Sequence, residues 1–409
     1  MNDNDNSTAP IYDAVVVGGG PSGSTAATEL ARAGHSVLLI DRGGRIKPCG
    51  GAIPPRLIRD FDIPDELLCA RIRSARIVSP SLQKVDMPID GGFVGMVNRE
   101  TFDEWLRVRA ESTGADRVRG LFETFTSDDD GLVSVTYREG GKPGEGPLRT
   151  VRARLLIGAD GARSKVARKA LPEGKNTPEC VFAYHEIVAI ENEAPADYDG
   201  ARCDVVYDGQ YSPDFYGWVF PHGSTASIGT GSAQKGFSLR GSVGSLRAST
   251  GLEDVRTIRK EGAPIPMKPL PRWDDGRNVV LAGDAAGVVA PSSGEGIYYA
   301  MVGGQRAAEA GAEFLATADA RCLRRARKRF MKDHGRVFFI LGLMQRFFYS
   351  SDARRERFVT MCKDKDVQRL TWEAYMNKEL VRTSPAAHVR IFFKDMAHLL
   401  GLVSPRTDG

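Results

Sequence analysis

The sequence lacks the cysteine and histidine patterns that hold metal ions or cross-link a small domain. Its six cysteines are scattered over 409 residues, and no two of them stand at the C-x-x-C spacing of zinc or redox motifs. The six histidines form no cluster either. We therefore expect no metal site and no disulfide framework, which suits the reducing environment of the cytoplasm.

Long hydrophobic runs and a strong charge of either sign are also missing. No apolar stretch approaches the roughly 18 to 20 residues of a membrane-spanning helix, and residues 1–10 are too polar for a signal peptide. The net charge of +4 is too small to indicate nucleic-acid binding. From Arg321 to Gly409, however, 20 Lys/Arg stand against 9 Asp/Glu. This basic part predicts either contact with an acidic surface such as anionic lipid, or a solvated helical face.

Near its start the sequence contains the pattern of a dinucleotide-binding unit. Residues 14–17 and 37–40 are short apolar runs typical of buried parallel strands, and residues 24–32 between them favour a helix. Three glycines before the helix allow a tight turn, close approach of a pyrophosphate and close packing of helix on strand. An aspartate after the second run can accept hydrogen bonds from ribose hydroxyls, and the arginine beside it can meet an adenosine phosphate. The predicted binding residues of this unit are Gly18, Gly20, Pro21, Ser22, Gly23, Asp41 and Arg42.

Two more strand-and-turn patterns, far away in the sequence, point to the same ligand. Residues 155–158 form an apolar run that leads to Asp160, and residues 278–282 lead to Gly283 and Asp284. A carboxylate at the second of these turns can hold the ribityl hydroxyls of a flavin, while the amides of the following helix face its pyrophosphate. Taken in this order, the three patterns resemble the FAD-binding fold of p-hydroxybenzoate-hydroxylase-like flavoproteins.

That resemblance implies FAD rather than NAD as the bound dinucleotide, and it implies that NAD(P)H binds without a second glycine fingerprint. Gly294 and Gly296 precede a helix and would bring its positive end near the flavin pyrimidine edge, where reduced flavin carries negative charge. A simple turn with a helix cap is the other interpretation. Arg99, which opens a helix, resembles the arginine that touches FAD in the wider fold, and a solvated arginine is its alternative.

The fold class expected is mixed α/β. Short strands with turn residues between them are predicted over residues 76–97 and 180–266, and Asn98 is a good cap for a helix over residues 99–113. We expect a discontinuous Rossmann-like FAD-binding domain, an inserted antiparallel β-sheet substrate domain and a helical C-terminal part. The first is assigned residues 1–75, 98–175 and 272–320, the second residues 76–97 and 176–271, and the third residues 321–409.

Two stretches carry a closer resemblance. Residues 213–221 read P-D-F-Y-G-W-V-F-P, which matches the P-x-x-Y-x-W-x-F-P motif of the geranylgeranyl reductase family. Residues 47–51 read K-P-C-G-G and match that family's cysteine-bearing loop over the flavin, so Cys49, Gly50 and Gly51 are expected at the cofactor. The resemblance covers most of residues 11–377, and it is greatest to the bacteriochlorophyll branch of the family.

The resemblance implies a reaction as well as a fold. FAD is the cofactor, NADPH is the reductant, and three isolated double bonds are saturated in a geranylgeranyl chain, which becomes phytyl on bacteriochlorophyll. Free geranylgeranyl diphosphate or an isoprenoid ether lipid is the alternative substrate, and a flavin monooxygenase on the same fold is a second alternative. The prenylated pigment would bring a cytoplasmic protein into peripheral contact with the photosynthetic, intracytoplasmic membrane.

Saturating an isolated alkene requires a proton donor and the exclusion of water. Cys49 is the first candidate for the donor, or for a group that positions the flavin, because a thiol between small residues on a flavin-facing loop is accessible. Tyr216 is the second candidate, and His185 and Glu295 are weaker ones. Aromatic side chains of the 213–221 motif can form walls for a prenyl chain, with ordinary core packing as the alternative. The predicted pocket residues are Pro213, Phe215, Tyr216, Trp218, Phe220 and Pro221.

Two C-terminal segments, residues 338–349 and 389–400, are strongly apolar with interspersed basic residues. They are expected either to cover the prenyl site or to lie on a membrane surface. For the first segment, packing onto the body of the protein is the favoured interpretation.

Overall fold

A computed structural model describes residues 10–44, 46–140, 143–190 and 195–378. Its strands, in chain order, are β1 (Ile11–Val17), β2 (Val37–Asp41), β3 (Ala52–Ile53), β4 (Leu68–Ile72), β5 (Ser74–Val78), β6 (Lys84–Pro88), β7 (Val94–Val97), β8 (Asp116–Ser127), β9 (Val133–Glu139), β10 (Leu148–Gly158), β11 (Cys180–Ala189), β12 (Arg202–Val206), β13 (Gly217–His222), β14 (Thr225–Ser232), β15 (Thr257–Pro266) and β16 (Val279–Leu281). Its α-helices are α1 (Pro21–Arg32), α2 (Pro55–Asp60), α3 (Arg99–Ser112), α4 (Lys165–Ala170), α5 (Leu239–Ser249), α6 (Ile297–Thr317), α7 (Arg324–Phe348), α8 (Asp352–Met361) and α9 (Lys365–Asn377).

The apolar runs predicted as buried strands form a parallel sheet. β1 pairs with β2 on one side and β10 on the other, β8 follows β2, and β16 follows β10, all in parallel. Residues 14–17, 37–40 and 279–281 are almost completely buried, as expected of strands covered on both faces. Because the five strands run in one direction, their carboxyl ends meet at one edge of the sheet.

The C-terminal part of β8 and the N-terminal half of β10 form an antiparallel meander with β9. The paired residues of this meander lie between Gly120 and Ala153. The strand predicted separately at residues 155–158 is instead the continuation of β10. The reason lies in its side chains, because Val151, Ala153 and Leu155 keep alternate positions buried along one uninterrupted strand.

A second sheet has seven strands in the order β15-β11-β14-β13-β12-β5-β6. It is antiparallel except where β12 runs parallel to β5. Residues 76–97, predicted as one insertion, do not all enter this sheet: β5 and β6 do, whereas β7 pairs with β3 and β4 in a small sheet of its own. Helix α5 was not predicted within the strand-rich segment that contains it.

Helices cover the parallel sheet and continue to the end of the described chain. α1 packs against α6, and α6 packs against α7. α3 begins at Arg99 as predicted, but the side chain of Asn98 does not cap it and instead lies 3.1 Å from Nδ1 of His222. No helix in the described ranges is long and apolar enough to cross a bilayer. The segment predicted at residues 389–400 lies outside the described residues.

Candidate active site

A cleft of about 850 Å³ lies at the carboxyl ends of β1, β2, β10 and β16. Open parallel sheets bind their ligands at this edge. The glycine turn after β1, the loop that carries Cys49, and the starts of α3 and α6 all contribute to its walls. The predicted cofactor residues that line it are Gly18, Gly20, Pro21, Ser22, Asp41, Arg42, Cys49, Gly50, Arg99, Asp160, Asp284, Gly294 and Gly296.

The three fingerprint glycines have different surroundings in the turn between β1 and α1. A Cβ atom on Gly23 would lie 1.8 Å from the carbonyl oxygen of Gly18, so helix and strand can pack this closely only with glycine. Gly18 has a φ of +103°, and its Cβ would lie 2.4 Å from the carbonyl oxygen of Ala159. At Gly20 a Cβ would meet nothing within 4 Å, since its backbone faces open space.

Asp41 holds the glycine turn from the end of β2. Its carboxylate accepts hydrogen bonds from the backbone N–H groups of Gly19 and Gly43, each at 2.8 Å. Arg107 of α3 donates to the carbonyl oxygen of Gly19 at 3.1 Å and lies 3.8 Å from the Asp41 carboxylate. The turn is therefore fixed from two sides before any ligand binds.

Asp284 lies at the opposite end of the cleft, in a short 3-10 helix over Gly283–Ala286 that follows β16. Its buried carboxylate accepts a hydrogen bond from the ammonium group of Lys47, which precedes Cys49 on the cysteine loop. Burial and the nearby Asp284 carboxylate raise the pKa of the Cys180 thiol to about 11, so Cys180 stays protonated at neutral pH.

The Asp160 carboxylate has nearby hydrogen-bond donors that its sequence pattern did not predict. Its carboxylate accepts hydrogen bonds from the Ser164 hydroxyl at 2.5 Å and from the backbone N–H groups of Lys165 and Val166 at 2.6 and 3.2 Å. It thus satisfies the start of α4 while it lines the cleft. Any contact with a cofactor would be additional to this role.

The polar groups of the cleft fit FAD. Helix α1 begins at Pro21 with no side-chain hydrogen bond at its N-cap, which leaves backbone amides at a helix start for a pyrophosphate. The Ser22 hydroxyl oxygen is buried and has no hydrogen-bond partner among the described residues. Asp41 and Asp284 supply carboxylates for ribose and ribityl hydroxyls at separate ends of the cleft. The set of donors and acceptors therefore matches an elongated dinucleotide with hydroxyls on either side of its pyrophosphate.

Cys49 shares the cleft with a buried arginine. Its sulfur accepts a hydrogen bond from the backbone N–H of Gly51 at 3.4 Å, and the Arg99 side chain lies close enough to interact with it electrostatically. Two bonds of 2.8 Å hold the Arg99 guanidinium against Asp103 one turn later on α3. Burial acts to lower the pKa of Arg99, but the Asp103 carboxylate raises it overall, so the positive charge persists. A fixed cation therefore lies beside the Cys49 sulfur.

The aromatic motif lies directly behind the glycines of the cleft. β13 begins at Gly217, just after Tyr216, and the rings of Tyr216, Trp218 and Phe220 follow one another at 6.0 and 6.2 Å on one face. Phe220 contacts Gly50, where an added Cβ would lie 3.0 Å from its ring.

The other end of this row faces the start of α6. Phe215 stacks on Tyr216 at 4.1 Å, and a Cβ on Gly294 would lie 3.1 Å from the Phe215 ring. The carbonyl oxygen of Pro213 accepts a hydrogen bond from Arg355, and Pro221 is buried within β13. Within the described chain, none of the six motif residues lines the cleft itself. Their role as walls for a prenyl chain stays a prediction.

The weaker proton-donor candidates are engaged elsewhere. The Tyr216 hydroxyl donates to the carbonyl oxygen of Ser293 at 2.6 Å, and burial raises its pKa. His185 is bonded to Ser227 at 2.8 Å and to Glu261 at 3.2 Å inside the second sheet. Glu295 forms an ion pair of 3.1 Å with Lys378, and both side chains are buried. Among these four candidates, Cys49 lies in the cleft, and its thiol hydrogen is not used in a hydrogen bond to another described residue.

Comparison with known proteins finds two family matches in this chain. Residues 70–331 match the family described as FAD binding domain, and residues 16–56 match an NAD(P)-binding Rossmann-like domain. A geranylgeranyl diphosphate reductase of Rhodobacter capsulatus is 57% identical over 97% of this chain and 99% of its own length. The chain belongs to the geranylgeranyl reductase family. Its members are FAD-dependent oxidoreductases, so the fold class and the enzyme class expected from the sequence are confirmed.

More distant relatives of the geranylgeranyl reductase family extend the comparison. A chloroplastic geranylgeranyl diphosphate reductase of rice is 37% identical over 96% of this chain and 87% of its own length. A crystal structure of a geranylgeranyl bacteriochlorophyll reductase-like protein from Thermoplasma acidophilum superimposes with a TM-score of 0.78 at 23% identity, covering 92% of this chain and 99% of that one. At that identity the structural match supports the fold alone.

Several residues of this reductase site were not predicted from the sequence. The motif match over residues 47–51 gives Lys47 no role, and no motif points to Asp103 or Arg107. A signal for the latter pair existed, because positions 99, 103 and 107 recur every four residues and so share one face of α3. His222, described below, follows the aromatic motif directly but makes its contacts with distant segments.

Proposed function

We propose that this protein uses NADPH to saturate three double bonds of the geranylgeranyl chain of geranylgeranyl-bacteriochlorophyll, which gives the phytyl tail. The observation that carries the proposal is the position of Cys49. Its thiol lies in the FAD cleft beside Arg99, on a loop whose Gly50 packs against Phe220 of the aromatic motif. The proposal therefore combines a flavin site, Cys49 as the proton donor and the aromatic motif behind the cysteine loop.

When bound and reduced by NADPH, the flavin would supply the two electrons and the hydrogen that one alkene carbon accepts. Cys49 gives its proton to the other alkene carbon, so each reduced bond gains two hydrogens in total. Arg99 offsets the negative charge left on the sulfur, and the thiolate regains a proton from water before the next bond is reduced. The buried rings of Phe215, Tyr216 and Trp218 keep water from the face of the site behind the glycine loops.

The proposal also specifies the group to which the geranylgeranyl chain is attached, which is bacteriochlorophyll. The Rhodobacter relative is named for geranylgeranyl diphosphate, so the free diphosphate is the alternative substrate. The test is an anaerobic comparison of kcat/KM for the two substrates, with the tail products separated and identified by mass. A higher value for the pigment supports the proposal, and turnover of the diphosphate alone overturns its substrate in favour of the alternative.

The reductant is proposed to be NADPH, and one wall of the cleft supports it. The Arg163 guanidinium lies 5.8 Å from the ring centre of Phe182, and that of Arg240 lies 5.8 Å from the ring centre of Tyr184. All four residues line the cleft, and 46% of Phe182 is exposed. Aromatic faces can stack on nicotinamide or adenine, and arginine forks bind phosphate groups.

Replacing Arg240 with alanine is expected to raise KM for NADPH by about 10- to 100-fold, the range for one lost charge-assisted hydrogen bond. KM for NADH should rise less, since NADH lacks the additional phosphate. Steady-state flavin reduction with both nucleotides measures the difference. Arg149→Ala, at an exposed ion pair with Glu139 on the meander, is the matched control. Equal increases for NADPH and NADH would argue against phosphate recognition by Arg240.

Membrane contact is proposed on α7, but not through its first basic residues. Arg325 and Arg329 form ion pairs with Glu313, and Arg327 donates to the carbonyl oxygen of Leu270, so the charges of these three side chains already have partners within the protein. Farther along α7, three apolar side chains are exposed while Phe338 and Phe348 on its other side are buried. The exposed residues, called the α7 apolar patch, are Phe339 (74% exposed), Ile340 (39%) and Leu343 (52%).

Exposed cations flank the α7 apolar patch at Lys332, Arg336 and Arg346. Such a face matches the surface of an anionic bilayer, in which a prenylated pigment would reside. The double change Phe339→Ser with Leu343→Ser is expected to weaken binding to vesicles of anionic lipid at least tenfold, because two large apolar side chains no longer enter the bilayer. Vesicle flotation measures binding, and Val108→Ser, at an exposed apolar residue of α3, is the control. Unchanged flotation of the double variant would count against contact through this patch.

A further inference from the structure

His222, the last residue of β13, joins the two segments that hold the Cys49 thiol. Its Nε2 lies 3.0 Å from the carbonyl oxygen of Gly50, next to Cys49 on the cysteine loop. Its Nδ1 lies 3.1 Å from the side-chain amide of Asn98, next to Arg99 at the start of α3. The ring is buried, and the Cys69 sulfur lies 3.5 Å from Nδ1 on the remaining side.

The hydrogen-bond pattern around this ring assigns its tautomer. A carbonyl oxygen only accepts, so Nε2 must carry the hydrogen that bonds Gly50. Burial lowers the pKa of His222 to about 4, so the ring is neutral near pH 7 and Nδ1 is an acceptor. The structure places Oδ1 of Asn98 at this 3.1 Å distance, but two acceptors cannot share a hydrogen bond, so we assign the flipped amide, whose nitrogen donates to Nδ1. One neutral imidazole thus accepts from the α3 segment and donates to the cysteine loop.

Close packing makes this arrangement specific. A Cβ on Gly51 would lie 2.5 Å from Cε1 of His222 and 2.6 Å from the carbonyl oxygen of Val97. The loop is fixed further by the bond from the Val97 N–H to the Gly51 carbonyl oxygen at 2.9 Å. Because the Gly51 N–H in turn donates to Cys49, a displacement of the loop would move the sulfur relative to Arg99.

We propose that His222 is a positioning residue for the reaction: it sets the placement of the Cys49 thiol against the Arg99 guanidinium. The inference rests on the proposed role of Cys49 as proton donor. In this proposal, the end of β13 also fixes the position of the cysteine loop relative to α3. His222 itself does not line the cleft and acts through its two neighbours.

The test compares His222→Leu, which keeps bulk but removes both polar contacts, with His222→Gln, whose amide can still donate to Gly50. Hydrogen–deuterium exchange is measured on the peptide that covers residues 47–53 of the full-length protein, together with kcat and KM for the prenyl substrate. We expect exchange in this peptide about tenfold faster in His222→Leu, because the loop opens more often. We also expect kcat at least tenfold lower with KM within about twofold, and recovery of most of both losses in His222→Gln.

His185→Leu is the matched control, since it removes another buried histidine of the same sheet that bonds Ser227 and Glu261 instead of the loop. It should leave exchange in residues 47–53 unchanged. Native exchange in His222→Leu would overturn the proposal, as would a glutamine variant that restores exchange but not kcat. If His222→Leu does not fold, His222→Asn, too short to reach Gly50, takes its place. The exchange measurement needs no substrate, so its result stands even if the protein reduces no prenyl chain.

Discussion

Replacing Gly23 with alanine is expected to give a protein that purifies without FAD. The new Cβ would lie 1.8 Å from the carbonyl oxygen of Gly18, and this atom belongs to the turn backbone, which cannot move aside cheaply. The turn between β1 and α1 would have to open, which would displace the amides at the start of α1 and the Gly19 N–H held by Asp41. We expect at least a 100-fold loss of FAD affinity, measured by flavin fluorescence titration, since several contacts of roughly 1 kcal/mol each are lost together.

Two other glycine variants distinguish disruption of the turn backbone from a direct clash with the cofactor. A Cβ on Gly20 meets no protein atom within 4 Å, so Gly20→Ala should fold normally and lose FAD affinity only if the cofactor occupies that space. Gly244→Ala, on the exposed side of α5, should bind FAD as the native protein does. Stoichiometric FAD in purified Gly23→Ala would contradict this account of the glycine turn.

Removing the Cys49 thiol is expected to have the second large effect. As the proposed donor, Cys49 contributes the roughly 10²- to 10⁴-fold typical of general acid catalysis, so Cys49→Ala should lose that factor in kcat for prenyl reduction. FAD binding and the NADPH-dependent bleaching of the flavin in the absence of a prenyl substrate should remain, because neither requires the proton. Stopped-flow spectroscopy separates flavin reduction from its reoxidation by the prenyl substrate, and only the latter should slow.

The control is a cysteine that lies away from the cleft. Cys322 is buried beside Thr317 at the end of α6, and Cys322→Ala should retain the native kcat. Cys49→Ser is the more exacting variant, because its hydroxyl keeps the polar contacts but is a much weaker acid than a thiol, so kcat should also fall. A native rate in both Cys49 variants would remove Cys49 from the reaction and leave water as the proton source.

The sequence predicted best those parts of the fold whose determinants are contiguous. The strand, glycine turn and helix over residues 11–32 are specified by local pattern, because burial on both faces requires unbroken apolar runs and the turn requires glycine. Parallel strands also share one edge, so Asp41 and Asp284 were expected at a common ligand although they are far apart in the chain. Both line the cleft.

Contacts set by the packing of separate sheets were beyond sequence reasoning. Lys47 meets Asp284 across 237 residues, and His222 meets Gly50 across 172. No local spacing encodes such pairs, because they depend on how the cysteine loop lies against the end of β16 and against β13. The sequence also did not predict that β7 joins the small sheet. An alternating strand pattern does not reveal which neighbour the strand will pair with.

Reduction of prenyl double bonds at this site can be followed in a single experiment. The purified protein is incubated anaerobically with FAD, NADPH and geranylgeranyl-bacteriochlorophyll, and the mass of the pigment tail is followed by chromatography and mass spectrometry. The account predicts successive products that have gained two, four and six hydrogens, with one NADPH consumed per reduced bond. No gain on the pigment or on free geranylgeranyl diphosphate, together with substrate-dependent oxygen uptake in air, would contradict it and indicate a monooxygenase.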